Sequence, residues 1–208
     1  MKKSFLTYLI VVLLISFSTY SQIETGKQNI ENALLNPEKI TSLDLSNSKE
    51  DISKIDFSKF VNLEYLTLKN DHLKKIPESI SKLKSLKILD LSGNDFKKLP
   101  DSFSDLSNLE EIYLNDEKNL NLPKTLKVLM KLPKLKTLHL ENDNIESLPS
   151  EILNFNNLEY LYLNNNNLKT IPKIETLDHL KYLDLKDNKI KPELQDMRNL
   201  NFGFKIIF

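Results

Sequence analysis

Apolar residues in this chain recur on a 23-residue interval, with local alternation inside each interval. From Leu86 the sequence reads L-K-I-L-D-L-S-G-N-D-F-K-K-L-P-D-S-F-S-D-L-S-N and begins again at Leu109. Apolar side chains hold the first, fourth, sixth, eleventh and fourteenth places, followed by Phe103 and Leu106. Asn94 stands at the ninth place and Pro100 follows the fourteenth. Counting first places, the units start at Ile40, Leu63, Leu86, Leu109, Leu135, Leu158 and Leu180, at intervals of 23, 23, 23, 26, 23 and 22 residues. The L-x-L alternation in each unit predicts a short strand with both leucines turned inward. One such turn of chain cannot bury its own apolar face. The units therefore stack, strands in parallel, around one continuous core.

The two ends depart from the pattern in ways that suit covers for an open stack. Thr25 caps an expected short helix that places Ile30, Ala33 and Leu34 on one face and ends at Pro37. At the other end, residues 192–200 read as a helix with Pro192 in its first turn and Leu194 and Met197 on one face. Residues 204–208 read as a last edge strand, with Phe204 and Ile207 near the first and fourth places of an incomplete repeat.

Two units are irregular. In the first, Ile52 and Ile55 are displaced, so the loop around residues 49–51 is atypical. The fourth gains three residues after Leu122-Pro123, and Leu126, Leu129 and Leu132 then fall three apart, which predicts an added helical turn on the convex side. The ninth place is mixed. Asn94, Asn166 and Asn188 can both donate to and accept from loop backbone, whereas an ionised carboxylate only accepts. With Ser48, Asp71, Glu117 and Asp143 at the other ninth places, the ladder of asparagines is expected to break and its loops to deviate.

In their register these units resemble the leucine-rich repeat family, whose signature is L-x-x-L-x-L-x-x-N/C-x-L. Leu63-Leu66-Leu68, Leu86-Leu89-Leu91, Leu135-Leu138-Leu140 and Leu158-Leu161-Leu163 match its strand portion. Ile76-Pro77, Leu99-Pro100, Leu122-Pro123, Leu148-Pro149 and Ile171-Pro172 resemble the L-x-x-L-P variety of bacterial secreted members. The resemblance implies an α/β solenoid. This is a right-handed horseshoe with parallel strands on the concave face, a short helical or irregular convex side, an N-terminal helical cap and a C-terminal helix-strand cap. The chain then divides into a signal peptide over 1–21, a capping helix over 22–39, about seven repeats over 40–191 and a cap over 192–208.

The signal peptide is read from residues 1–21. Lys2 and Lys3 precede an apolar run from Phe5 to Phe17, and the small-residue stretch around Thr19 and Ser21 sets cleavage after Ser21. Thirteen residues span only about 20 Å as a helix, short of a ~30 Å hydrocarbon layer. The mature protein is therefore expected to be secreted or held in the periplasm or cell envelope, with no remaining membrane span. Lys+Arg and Asp+Glu both number 29 in the full sequence and 27 against 29 without the leader, which argues against nucleic acid as a partner. There is no cysteine, which removes disulfides, thiolate metal sites and cysteine nucleophiles. The three histidines, His72, His139 and His179, show no metal-ligand spacing, and no catalytic motif is present. The expectation is a non-enzyme with no cofactor and no metal.

What remains are the residues between the leucines. The third-place column runs Ser42, Tyr65, Ile88, Glu111, Thr137, Tyr160, Tyr182, and the fifth-place column runs Asp44, Thr67, Asp90, Tyr113, His139, Tyr162, Asp184. All five tyrosines beyond the leader fall in these two columns, while Phe60, Phe96, Phe103 and Phe155 take core places. Tyrosine offers a broad apolar body with a polar tip, which suits a wet recognition surface. Tyr65, Tyr113, His139, Tyr160, Tyr162, Tyr182 and Asp184 are the candidate ligand-binding residues. Relatives of this kind bind proteins through that face, so the resemblance implies a module for a protein or extended peptide; the apolar edge at Phe208 invites pairing with a second copy, with a monomer as the default. The alternative is a structural or adhesive envelope component acting by weak multivalent contact or self-association through residues 204–208.

Overall fold

Each repeat forms a three-residue strand over its third to fifth places, and the central apolar residue of that strand sits at the fourth place. The computed structural model describes residues 30–172, 174, 177–191 and 203–208. Its strands are β1 (Ser42–Asp44), β2 (Tyr65–Thr67), β3 (Ile88–Asp90), β4 (Glu111–Tyr113), β5 (Thr137–His139), β6 (Tyr160–Tyr162), β7 (Tyr182–Asp184) and β8 (Lys205–Ile207). They form a single parallel sheet in chain order, each pairing with the next. The fourth-place residues Leu43, Leu66, Leu89, Ile112, Leu138, Leu161 and Leu183 are all fully buried. Burying a leucine is worth roughly 2 kcal/mol, so this column and the sixth-place leucines beside it form the spine of the core.

The opposite side of each coil is short and helical. After the dipeptides Ile76-Pro77, Leu99-Pro100 and Leu148-Pro149, 3-10 helices run over Glu78–Lys82, Asp101–Asp105 and Ser150–Asn154. Proline suits the entry to these turns because its fixed φ leads the chain in and its missing N–H is not needed there. Ile80, Phe103 and Ile152 project from them into the core. The irregular first repeat carries two smaller turns, Ile52–Lys54 and Phe57–Lys59, opened by Asp51 and Asp56 bonding the N–H groups of Ser53 and Ser58. In the fourth repeat the turn becomes the α-helix α2 (Leu122–Leu129), capped by the Asn121 side chain on the Lys124 N–H. Leu126, Leu129 and Leu132 are buried, as their spacing predicts.

Expectations at the chain ends meet mixed outcomes. A helix of four residues, α1 (Ile30–Ala33), buries Ile30 and Ala33. Leu34 does not join them and stands 38% exposed, because the helix stops at Ala33 and the chain leaves the helical period. The leader, residues 22–29 and the helix expected over 192–200 lie outside the described residues. Strand β8 is present, but its register corrects the sequence reading. Ile206, not Ile207, pairs with Leu183, while Lys205 pairs with Tyr182 and Ile207 with Asp184. The incomplete repeat thus begins at Gly203, keeping the common 23-residue interval from Leu180.

The ninth-place ladder corrects a second expectation. Asn94 accepts the N–H groups of Asp71 and Leu73 on Oδ1 and donates Nδ2 to the carbonyls of Leu68 and Leu91. Asn166 repeats the pattern on Asp143, Ile145, Leu140 and Leu163. The acids between them keep the accepting half. Asp71 Oδ1 takes the Ser48 N–H, Glu117 Oε1 the Asn94 N–H and Asp143 Oδ1 the Glu117 N–H. A continuous rail therefore runs from Ser48 to Asn166, since accepting requires only an oxygen. The donating half is what the acids lack in their ionised form.

The loops also hold their geometry better than expected. The eighth place is left-handed in all seven repeats, at Asn47, Asn70, Gly93, Asp116, Asn142, Asn165 and Asp187. Only Gly, Asn and Asp occupy it, the residue types that tolerate positive φ. Deviation is confined to the tenth place of two Asp-bearing repeats, where His72 and Asn144 also turn left-handed.

Candidate functional site

Parallel pairing in register brings equal places of successive repeats side by side, about 4.8 Å apart. Flat rings at three consecutive fifth places are therefore forced face to face. Tyr113 pairs with His139 and His139 with Tyr162 along the sheet. Their ring centroids are 3.9 and 4.3 Å apart, with interplanar angles of 12° and 3°. The next fifth place is Asp184, so the column cannot continue. Tyr182, from the third place of β7, instead leans in at 5.3 Å and 46°. Lys205 Nζ lies 5.6 Å from the Tyr182 ring centre.

His139 is the hub of this stack. Its Nε2 lies 3.1 Å from Glu111 Oε1, and its Nδ1 lies 3.1 Å from Glu141 Oε2. Glu111 Oε1 also accepts the Tyr113 hydroxyl at 2.5 Å. The Asn115 side chain takes the Glu141 N–H at 2.9 Å and pins that residue from the neighbouring repeat. Burial alone would lower the His139 pKa, but the bonds and charges of Glu111 and Glu141 outweigh it and raise the value. Burial pushes Glu111 the other way, and the bonds from His139 and Tyr113 win there too, holding its carboxyl below the usual range. Tyr182 is pushed up to about 12 by burial and then by the charge and hydrogen bond of Asp184. Tyr162 rises as well, chiefly through burial.

Both imidazole nitrogens of His139 are committed to carboxylates, so the ring has no nitrogen left to take a proton from a ligand. Among the described residues no group of three or more His, Cys, Asp or Glu is placed to hold a metal ion. No helix among them is long and apolar enough to cross a membrane.

The sequence candidates separate into two groups. Tyr113, His139, Tyr162 and Tyr182 are brought together in the stack, and Asp184 is joined to it through the Tyr182 hydroxyl at 3.2 Å. Tyr160 lies beside Tyr182 in the third-place column, and Tyr65 stands on β2, two strands before the stack begins. Sequence reasoning did not single out Glu111, Glu141 or Asn115. The signal was available: all three lie within two places of the Tyr113–His139 pair, two strand neighbours with polar rings in need of partners. Fifth-place Asp residues have a second, local duty. Asp44, Asp90 and Asp184 accept the N–H two residues on, at Ser46, Ser92 and Lys186.

Along one margin the second-place residues alternate in charge and pair across strands. Glu64 meets Lys87 at 2.9 Å, Glu110 meets Lys136 at 3.8 Å and Glu159 meets Lys181 at 2.5 Å. Such pairs are each worth at most about 1 kcal/mol, but they cancel the charge of that margin.

Comparison with known proteins gives a consistent set. A model of the leucine-rich repeat region matches residues 35–136, and a leucine rich repeat model matches residues 133–190. No curated protein matches the sequence. Among solved structures, a leucine-rich repeat protein of Leptospira interrogans superposes with a TM-score of 0.66 at 27% identity, over 89% of this chain and 52% of that one. An internalin of Listeria monocytogenes gives 0.57 at 26%, over 75% and 44%. A second internalin of that organism, C2, gives 0.60 at 24%, over 80% and 70%, a likeness of fold alone. The chain spans about half the length of the first two structures it matches.

Proposed function

The chain belongs to the leucine-rich repeat family, and on that premise we propose that it is a non-enzymatic module that binds a protein or extended peptide through the sheet face. The fold is commonly a protein-interaction module. The observation that carries the reading is the stack of Tyr113, His139 and Tyr162 with its flanking carboxylates, a rigid polar-aromatic surface held in place before any ligand arrives. Rigid aromatic side chains lose little entropy on binding and recur at interface hot spots. Tyr182, Tyr160 and Asp184 extend this surface toward the C-terminal repeats, with Tyr65 at its far margin. The sheet is about 34 Å long and 15 Å wide on strand spacings, or roughly 500 Å². That is below the ~800 Å² per partner of a standard interface, which favours an extended segment or a small domain. The leader at residues 1–21 directs the module out of the cytosol, to the cell envelope or beyond.

The test is affinity capture from an extracellular extract with the full chain and with a Tyr113→Ala, Tyr160→Ala, Tyr162→Ala variant. Loss of a specific partner in the variant, with unchanged circular dichroism, supports the reading. Equal capture by both moves the site off this face.

A further inference from the structure

We propose that the occupant of this face is an extended segment carrying lysine or arginine, held by four carboxylates that ring the aromatic stack. The inference rests on the docking face argued above and names its partner chemistry. Asp90 pairs with Tyr113 at one end of the fifth-place column, and Asp184 pairs with Tyr162 at the other. Glu111 and Glu141 flank the middle, one on each side of His139. The stack is thus bounded by carboxylates at both ends and on both sides.

An ionised carboxylate has about four acceptor positions and no donor. Asp90 gives one oxygen to the Ser92 N–H, Glu141 gives one to His139, Glu111 spends a single oxygen on both Tyr113 and His139, and Asp184 gives one bond from each oxygen, to the Lys186 N–H and the Tyr182 hydroxyl. Accepting capacity therefore remains at the surface, and it calls for donors. His139 cannot supply them outward, because both its nitrogens face Glu111 and Glu141. Even with His139 protonated, four carboxylates against one imidazolium leave the ring negative. The second-place lysines nearby are matched to Glu64, Glu110 and Glu159. Lys186 reaches Asp187 at 3.7 Å, and Lys205 sits at the C-terminal end of the stack with its Nζ 5.6 Å from the Tyr182 ring centre.

The stack also limits what can lie on it. Tyr113, His139 and Tyr162 cover one another's inner faces, so sugar rings and nucleobases have no open inner ring face to stack on. Length selects further. Asp90 and Asp184 are four strand spacings apart, about 19 Å, which six extended residues at ~3.3 Å match. A segment of that length with a cation near each end meets both carboxylates.

The experiment measures fluorescence anisotropy of two labelled hexapeptides against the full chain at low ionic strength, where such contacts are least screened. One peptide carries arginine at both ends and the other glutamate. The arginine peptide should bind about ten-fold tighter or more, the size expected for charge complementarity. Asp90→Asn, Glu111→Gln, Glu141→Gln and Asp184→Asn together should weaken it about ten-fold, keeping the local hydrogen bonds. Neutralising Glu78, Asp101, Asp105 and Glu151 on the other side should change it less than about two-fold. The proposal is overturned if the glutamate peptide binds as well, if both sets of neutralised acids weaken binding alike, or if neither peptide binds. Should that happen while the tyrosine variant still loses its captured partner, only the partner chemistry falls. Should the tyrosine variant also behave as wild type, the face itself is wrong.

Discussion

The backbone N–H of Asn94 donates to Glu117 Oε1 at 2.8 Å, and this bond seats an acidic side chain at the place where the preceding coil uses the Asn94 amide. Glu117 is 1% exposed, and its Oε2 is buried without a hydrogen-bond partner among the described residues; Asp143 Oδ2 is in the same condition. Asparagine at the same place serves sixth-place carbonyls with Nδ2, a bond that an ionised carboxylate cannot make. A neutral carboxylic acid can serve them with its O–H. Burial, then the charges of Asp143, Asp95 and Asp116, push Glu117 up to about 8. Burial, then Asp116 and Glu141, push Asp143 up to about 7.

The sign of the linkage follows. Both folded-state values lie above the unfolded ones, so the folded state holds more protons between them. The contribution is complete below about pH 4.5 for Glu117 and about pH 3.8 for Asp143, and is lost as pH rises through about 8 and about 7 respectively. Glu117→Gln should therefore raise stability at pH 9 by of order 2 kcal/mol and change little at pH 5. Asp143→Asn should act the same way with a lower midpoint. Urea unfolding across this range checks it; parallel curves for wild type and variants would sink the idea.

Gly93 is fixed by both its backbone and its neighbour. Its φ is +70°, and a Cβ there would lie 2.0 Å from Asn70 Oδ1. Gly93→Ala should cost about 1–3 kcal/mol from the left-handed backbone and the contact together. Adding Asn70→Ala should recover part of that loss, because it removes the contact and leaves the backbone strain. Additive effects in a double-mutant cycle would show that the two residues do not meet as described.

For His139 the prediction is spectroscopic. The imidazole should titrate above the ordinary histidine value of about 6.5 when followed by NMR. In a Glu111→Gln, Glu141→Gln variant its midpoint should fall below that value, since burial then acts without the opposing charges. A midpoint unmoved by the double substitution would detach His139 from those partners.

Phe103 is wholly buried on the convex side and reaches the core from its 3-10 turn. Phe103→Ala should destabilise by about 3–5 kcal/mol, and Lys98→Ala, on the exposed rim of the same repeat, by less than about 0.5. Thermal or urea unfolding of the pair separates core from surface.

The repeat length, the strand places and the helix α2 were legible because burial imposes a period that leucine spacing records directly. The register of β8 was misread because Phe204 and Ile207 are apolar enough to pass for core residues. Backbone pairing, which places Ile206 opposite Leu183, outranked hydrophobicity. The ninth place was misread by treating asparagine as irreplaceable. Half of its work needs only an oxygen, and Asp71, Glu117 and Asp143 supply one. At the candidate site, the tyrosine columns were visible from periodicity. The bonds that fix His139 were not, because they join residues 28 positions apart, Glu111 and His139, and depend on which rotamers the stack permits.

The order of the sheet, β1 through β8 without a crossover, has a kinetic meaning. Every strand finds its partner within one coil of chain, so no pairing waits for a distant segment to arrive. Low sequence separation of contacts favours fast growth of structure from whichever coil forms first. The same arrangement governs failure. Tension applied along the axis of such a stack loads one junction after another, and the molecule yields coil by coil rather than in a single rupture.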